Sequence, residues 1–241
     1  ISGLFIKKKK NISVIKNLNL KIKHGDKIGI IGRNGSGKST LLKVLSNKYT
    51  LDSGIFSSKI EFLQLDTENL GFNNEISGEE NVRNILNLAF NHDKKKLKKS
   101  YRFIKKLSEL SNYFKFPLNT YSDGMKARIL FCTAIAIIKE KLIENKNYGI
   151  LIDELLSAGD IFFITKIQHT LNEILNDPRL TLIIVSHSNS DIIRFCNKAL
   201  YLENGRIRKQ GSVIKVLKKY EEDLYEEMKI FNSNIDNNKM N

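Results

Sequence analysis

The stretch GRNGSGKST at positions 32–40 carries the residue types best suited to chemistry in this chain. Gly32, Gly37, Lys38 and Ser39 fill the pattern G-x-x-x-x-G-K-[ST], with Arg33, Asn34, Gly35 and Ser36 forming the loop between them and Thr40 following directly. Glycines let a backbone wrap closely round phosphate oxygens, successive N–H groups point inward, and a helix opening near Lys38 adds its positive end. In such a loop the lysine reaches the β- and γ-phosphates and the serine hydroxyl holds Mg²⁺. A second metal-holding group is then needed, and GILIDE supplies it: Asp153 would coordinate Mg²⁺, and Glu154 would polarise the attacking water as general base. Adjacent acids are often only a strand's exit into solvent, but these follow an apolar run, which puts them at the carboxyl edge of a sheet where ligands bind. A lone histidine is usually structural. His187, closing IIVSHS at the end of the next strand, is placed as a γ-phosphate contact, whereas His24, His92 and His169 sit in turn, loop and helix surroundings.

A second anion-facing helix start appears in TYSDGMKARIL, residues 120–130. Ser122, Asp123 and Gly124 are turn and capping residues ahead of an apolar run, and such a start exposes unpaired N–H groups. One chain thus carries two sites of the same electrostatic character.

The elements that must hold these residues are legible from periodicity. LNLKIK alternates, with Leu18, Leu20 and Ile22 on one face, and predicts a half-buried strand; HGD turns it, and KIGII reads as a strand buried on both faces. TLLKVLSNKY has helical spacing. Ser77 and Glu80 form an S-x-x-E capping box before NVRNILNLAF, and Leu97, Tyr101, Ile104, Leu107 and Leu110 make the apolar stripe of a further helix whose lysines face water. Pro117 is expected to end that region, and YSDGM to open a helix through about Glu144. YGILIDE and LTLIIVSH read as strands separated by a helix bearing Ile164, Ile167, Leu171, Ile174 and Leu175, an order that implies a parallel sheet. ALYLENGRIRKQG predicts a hairpin around Asn204 and Gly205, Val213 to Met228 a last helix, and residues 231–241 a flexible tail. The expected organisation is one α/β domain: a core from residues 1–75 and 146–230, interrupted by a helical block over 76–145.

Composition narrows the class. The chain has 241 residues, 41% of them apolar, enough to bury a core, and 40 Lys and Arg against 26 Asp and Glu give a formal net charge of +14. That excess permits an acidic partner, but lysine, asparagine and isoleucine are abundant throughout, which is the mark of compositional drift rather than of a defined patch. Two distant cysteines, Cys132 and Cys196, suit neither zinc nor a disulfide framework and point to a reducing compartment. The longest apolar stretch, Ile129 to Ile138, falls well short of the ~20 residues that cross a bilayer.

Taken in order, GRNGSGKST, YSDGM, ILIDE followed by LSAGD, and SHS resemble the ATP-binding cassette ATPases over nearly the whole chain. The resemblance implies a P-loop NTPase core with a parallel sheet, an N-terminal antiparallel β subdomain and an inserted helical subdomain. It implies MgATP bound between two head-to-tail copies, with Ser122 and Gly124 of one copy on the γ-phosphate held by the other. It also gives Ser157 to Asp160 a place along the dimer seam. Asp123 and Met125 depart from the commonest signature, and a carboxylate at 123 is unfavourable near a triphosphate unless it points away or caps its own helix. YSDGM and LIDELLSAGD resemble the subfamily that energises export of capsule, O-antigen or teichoic acid, which implies a polytopic permease partner, a peripheral position on the cytoplasmic face of the inner membrane, and no specific nucleic acid. The family's glutamine-bearing loop falls on Gln64, Glu68 or a neighbour. The aromatic that stacks on adenine falls near Phe5, which suits an ordinary strand hydrophobe equally. Two other readings are a soluble cassette ATPase acting on nucleic acid or ribosomes, against which stand the single cassette and the lack of a heptad run, and an exporter ATPase for a lipid or drug.

Overall fold

In the computed structural model, which describes residues 13–65, 70–110, 112–144, 147–153, 163, 170, 172–186 and 188–239, six strands form one sheet in the order β2-β3-β4-β1-β5-β6. The strands are β1 (Lys27–Ile31), β2 (Glu61–Leu65), β3 (Tyr148–Asp153), β4 (Thr181–Val185), β5 (Lys198–Glu203) and β6 (Arg206–Ser212). All neighbours are parallel except β5 and β6, which pair antiparallel through the turn at Asn204 and Gly205. Isoleucine, leucine and valine fill β1, β3 and β4, which are buried on both faces as their unbroken apolar runs require.

The helices are α1 (Lys38–Leu45), α2 (Gly78–Ala89), α3 (Lys94–Ser108), α4 (Asp123–Ile143), α5 (Asn189–Phe195) and α6 (Val213–Lys239), with a short 3₁₀ turn at Leu118–Thr120; residues 172–175 are also helical. Leu41, Leu42 and Leu45 of α1 pack on one side of the sheet with Ile28, Ile30, Leu151 and Ile183. On the other side Ile129, Leu130, Ala134, Ile135 and Ile138 of α4 run into the larger core, with α2 and α3 laid against them. Ile192 of α5 lies so close to β1 that a Cβ at Gly29 would stand 2.5 Å from it.

The capping box is present: the Ser77 hydroxyl accepts from the Glu80 N–H, and the Glu80 carboxylate accepts from the Ser77 N–H. The lysines of α3 face solvent, and two are drawn to acids on the α4 side, Lys99 to Glu140 at 2.6 Å and Lys96 to Glu144.

Three expectations are corrected. Residues 18–23 alternate in burial as read, and Leu18, Leu20 and Ile22 pack on the α1 side of the core, but no strand forms there. Among the described residues the antiparallel strand pairing is that of the β5–β6 hairpin. α3 stops at Ser108, well before Pro117, because Glu109 turns left-handed at φ 59°; Leu110 is buried beyond the helix end. Residues 231–239, expected as a tail, continue α6.

Candidate functional site

β1 delivers the chain to Gly32, whose φ of 149° and tight surroundings only glycine accepts: a Cβ there would lie 2.2 Å from the Leu202 carbonyl oxygen and 2.8 Å from Ser36 Oγ. Gly37, at φ 103°, is the N-cap of α1 and offers no side-chain cap, and no acid occupies the first turn. By contrast α2, α3, α4 and α5 each begin on a side-chain oxygen that accepts from its own helix, from Ser77, Asp93, Ser122 and Ser188. The positive end of α1 is thus turned to the loop, where an anion can use it. Lys38 is buried, and its Nζ donates to the carbonyls of Gly32 at 2.7 Å and Arg33 at 3.0 Å. The Ser36 N–H donates to the Arg33 carbonyl at 3.1 Å, and the Ser36 carbonyl accepts from the Gly205 N–H at 3.0 Å, so the hairpin turn braces the loop from beneath. Ser36 Oγ is buried without a hydrogen-bond partner, Ser39 is exposed and Thr40 half-buried.

Asp153 ends β3, half-buried, in register with Val185 of β4, and Ile30 of β1 is in register with the same valine. With strands spaced about 4.8 Å apart, the loop strand and the Asp153 strand stand roughly 9.6 Å apart with the end of β4 between them. The carboxyl edges of the three strands are level. A close-fitting glycine loop, an uncapped helix start and an orphaned buried hydroxyl fit the phosphates of a nucleotide. Ser39 and Asp153 fit Mg²⁺, which takes few protein ligands beside phosphate oxygens and water.

The second helix start is built differently. Ser122 caps α4 by accepting from the Met125 N–H at 3.3 Å, so Asp123 is not the cap; it sits exposed in the first turn, where its charge suits the helix end. A Cβ at Gly124 would meet only Ser122 Oγ, at 4.0 Å, so this tip is open. Tyr121 anchors it. Its hydroxyl donates to the Tyr113 carbonyl at 2.7 Å, burial pushes its pKa up to about 12, and a Cβ at Gly78 would stand 2.4 Å from that hydroxyl. The segments before α2 and α4 are sewn together by Gly78 N–H to Phe116 O, Glu79 N–H to Phe114 O and Leu118 N–H to Ile76 O.

Of the residues singled out from sequence, Gly32 to Thr40 and Asp153 converge on one sheet edge, while Ser122 and Gly124 belong to the α2–α4 block. Phe5, Glu68, Glu154, Ser157 to Asp160, His169 and His187 lie outside the described residues. Gln64 is buried within β2, and its side-chain carbonyl accepts from Ser46 Oγ at 3.1 Å beyond the far end of α1, which gives it a structural task. Sequence reading missed the bracing by Leu202 and Gly205, and it missed Asn81. That residue is 1% exposed; its Oδ1 accepts from the Asn73 N–H and its Nδ2 donates to the carbonyls of Asn73, Ile76 and Ser77. An N-G turn was visible, but nothing local ties it to a loop so far away in the chain.

A family model described as ABC transporter matches residues 15–143, more than half of the chain. The chain belongs to the ABC transporter family. Among the curated relatives of this ABC transporter chain, the ATP-binding protein BexA of Haemophilus influenzae is 36% identical, over 80% of this chain and 82% of the relative. The polysialic acid transport ATP-binding protein KpsT of Escherichia coli is 32% identical over 88% and 91%. The O-antigen export system ATP-binding protein RfbB of Myxococcus xanthus is 32% identical over 88% of this chain, which spans only 46% of that longer relative. A solved dimeric ATP-binding cassette in a post-hydrolysis state, bound to ADP and Pi, superposes with a TM-score of 0.67 at 21% identity, covering 87% of this chain and 94% of that one. The fold is that of an ABC ATPase. No described helix is long and apolar enough to cross a membrane.

Proposed function

We propose that the chain is the ATP-hydrolysing subunit of an exporter of cell-surface polysaccharide. In this reading two head-to-tail copies work with a separate transmembrane permease at the cytoplasmic face of the inner membrane. The observation that carries it is the uncapped start of α1 behind a glycine-built loop, level with Asp153 across β4, in a chain of this family. The polysaccharide reading is supported by relatives whose names specify polysialic acid transport, capsule polysaccharide export and O-antigen export.

Bound MgATP would supply a γ-phosphoryl group activated for transfer to water. The α1 N–H groups and Lys38 hold its anionic oxygens, and for this Lys38 exchanges the carbonyls of Gly32 and Arg33 for phosphate. Ser39 and Asp153 would hold the metal, Glu154 would take a proton from the attacking water, and His187 would contact the γ-phosphate. The Ser122 hydroxyl accepts from its own helix, which leaves its O–H to donate to phosphate on the partner copy. Helix ends from both copies then offset the charge of the triphosphate and draw the two copies together.

Two variants test this. Glu154→Gln should form an ATP-dependent dimer on size-exclusion chromatography and lose turnover; a variant that stays monomeric with ATP overturns the assignment. Ser122→Arg should still bind ATP as a single subunit yet lose hydrolysis, and unchanged turnover would refute the shared site.

A further inference from the structure

α6 runs from the end of β6 to the phosphate loop. Val213, Val216 and Leu217 are buried, Tyr220 meets Tyr201 edge-on at 5.0 Å, and Asp223 pairs with Lys219 at 2.7 Å and Arg208 at 3.4 Å. One turn further on, Glu227 forms an ion pair with Arg33, the residue that follows the first glycine of the loop and lies 194 positions away in sequence. The two residues line a cavity of about 230 Å³ together with Ser36 and Tyr201.

Arg33 is consequently held twice. Its guanidinium is engaged by Glu227, and its carbonyl accepts both from Lys38 Nζ at 3.0 Å and from the Ser36 N–H at 3.1 Å. The same residue thus joins the C-terminal helix to the lysine of the phosphate loop.

Building on the nucleotide site proposed above, we propose that Glu227 is a positioning residue that acts through Arg33 to restrain the phosphate loop and lower its affinity for nucleoside polyphosphate. A guanidinium is a good phosphate ligand, and here one of its nitrogens, Nη1, is engaged by the Glu227 carboxylate. That carboxylate also lowers the positive potential at a loop that must accept a polyanion. The two side chains are 66% and 47% exposed, so the pair is weak enough to be exchanged for phosphate. By linkage, whatever draws α6 away from the loop tightens nucleotide binding, and nucleotide in turn loosens α6.

The test is the affinity of the full chain for ATP and for ADP, measured by calorimetry in wild type, Glu227→Gln, Glu227→Lys, Arg33→Ala and the Arg33→Ala/Glu227→Gln double variant. Glu227→Gln should bind ATP about threefold more tightly, as expected for release of an exposed ion pair. Glu227→Lys should bind it more tightly still, the gain should be smaller for ADP, and it should shrink at high salt. In the Arg33→Ala background the gain from Glu227→Gln should fall to less than half, leaving only the effect of the carboxylate's charge on the loop. Unchanged or weaker ATP binding in Glu227→Gln overturns the proposal, as does an equal gain without Arg33. A wild-type chain that binds no ATP counts against the nucleotide site itself, which separates the two failures.

Discussion

Gly32 shows how little room the phosphate loop leaves. The oxygen that a Cβ would strike, 2.2 Å away, belongs to the Leu202 main chain inside β5 and cannot yield as a side chain would. Gly32→Ala should cost about 2–3 kcal/mol from backbone strain, and a thermal melt should fall by roughly 5–10 °C. The cysteines make a milder prediction. Burial pushes the Cys196 thiol up to about 12 and Cys132 higher still, so both stay protonated at pH 8. Iodoacetamide should therefore modify them slowly in the native chain and rapidly in denaturant, as mass spectrometry would show. At this scale the sequence was most informative where the chemistry is local, since the spacing of Gly32, Gly37, Lys38 and Ser39 holds within one turn of loop. It was silent on Leu202, Gly205 and Glu227, because each meets the loop only after the sheet and α6 have returned the chain to it.

α2 owes its position to polar ties. Asn81 ties main-chain groups of Asn73, Ile76 and Ser77 together from a buried position; Asn81→Leu would remove its bonds to the Asn73 N–H and carbonyl, while the Ile76 and Ser77 carbonyls keep the N–H groups of Leu118 and of residue 81. A loss of about 2 kcal/mol is expected in denaturant unfolding, from the side-chain hydrogen bonds that no longer hold the turn at Asn73 to α2. The capping box adds an acid dependence. Hydrogen bonds from the Ser77 hydroxyl and N–H hold the Glu80 carboxyl below its usual value of 4.5. Since the folded value is depressed, this stabilisation is present above pH 4.5 and is lost as pH falls through the folded pKa. Glu80→Gln should flatten that part of the acid limb in a circular-dichroism titration. The box could be read because its partners are three residues apart, and so could the buried faces of α3, α4 and β3. What escaped were the ends. A left-handed Glu109 stops α3 without any glycine or proline to announce it. The asparagines after Ile230 have low helix propensity, yet α6 runs on because extending an existing helix gains a hydrogen bond per residue fixed. Residues 18–23 show that alternation reports burial and not pairing.

Across the whole molecule, the sheet order sets what one nucleotide can reach. The parallel arrangement followed from the strand, helix, strand sequence. The insertion of β4 between β1 and β3 did not, because no residue pattern records which parallel strands are neighbours. ATP with Mg²⁺ at a hundred times its dissociation constant should stabilise the chain by about 2.7 kcal/mol. A thermal-shift assay should show that rise in wild type and lose it in Lys38→Ala. The absent side chain at Gly29 carries a mechanical corollary. Ile192 rests directly on the backbone of the strand that feeds the phosphate loop, so the loop and α5 share one lever. A methyl group at 29 would act as a shim, and faster amide exchange along α5 would register the slack.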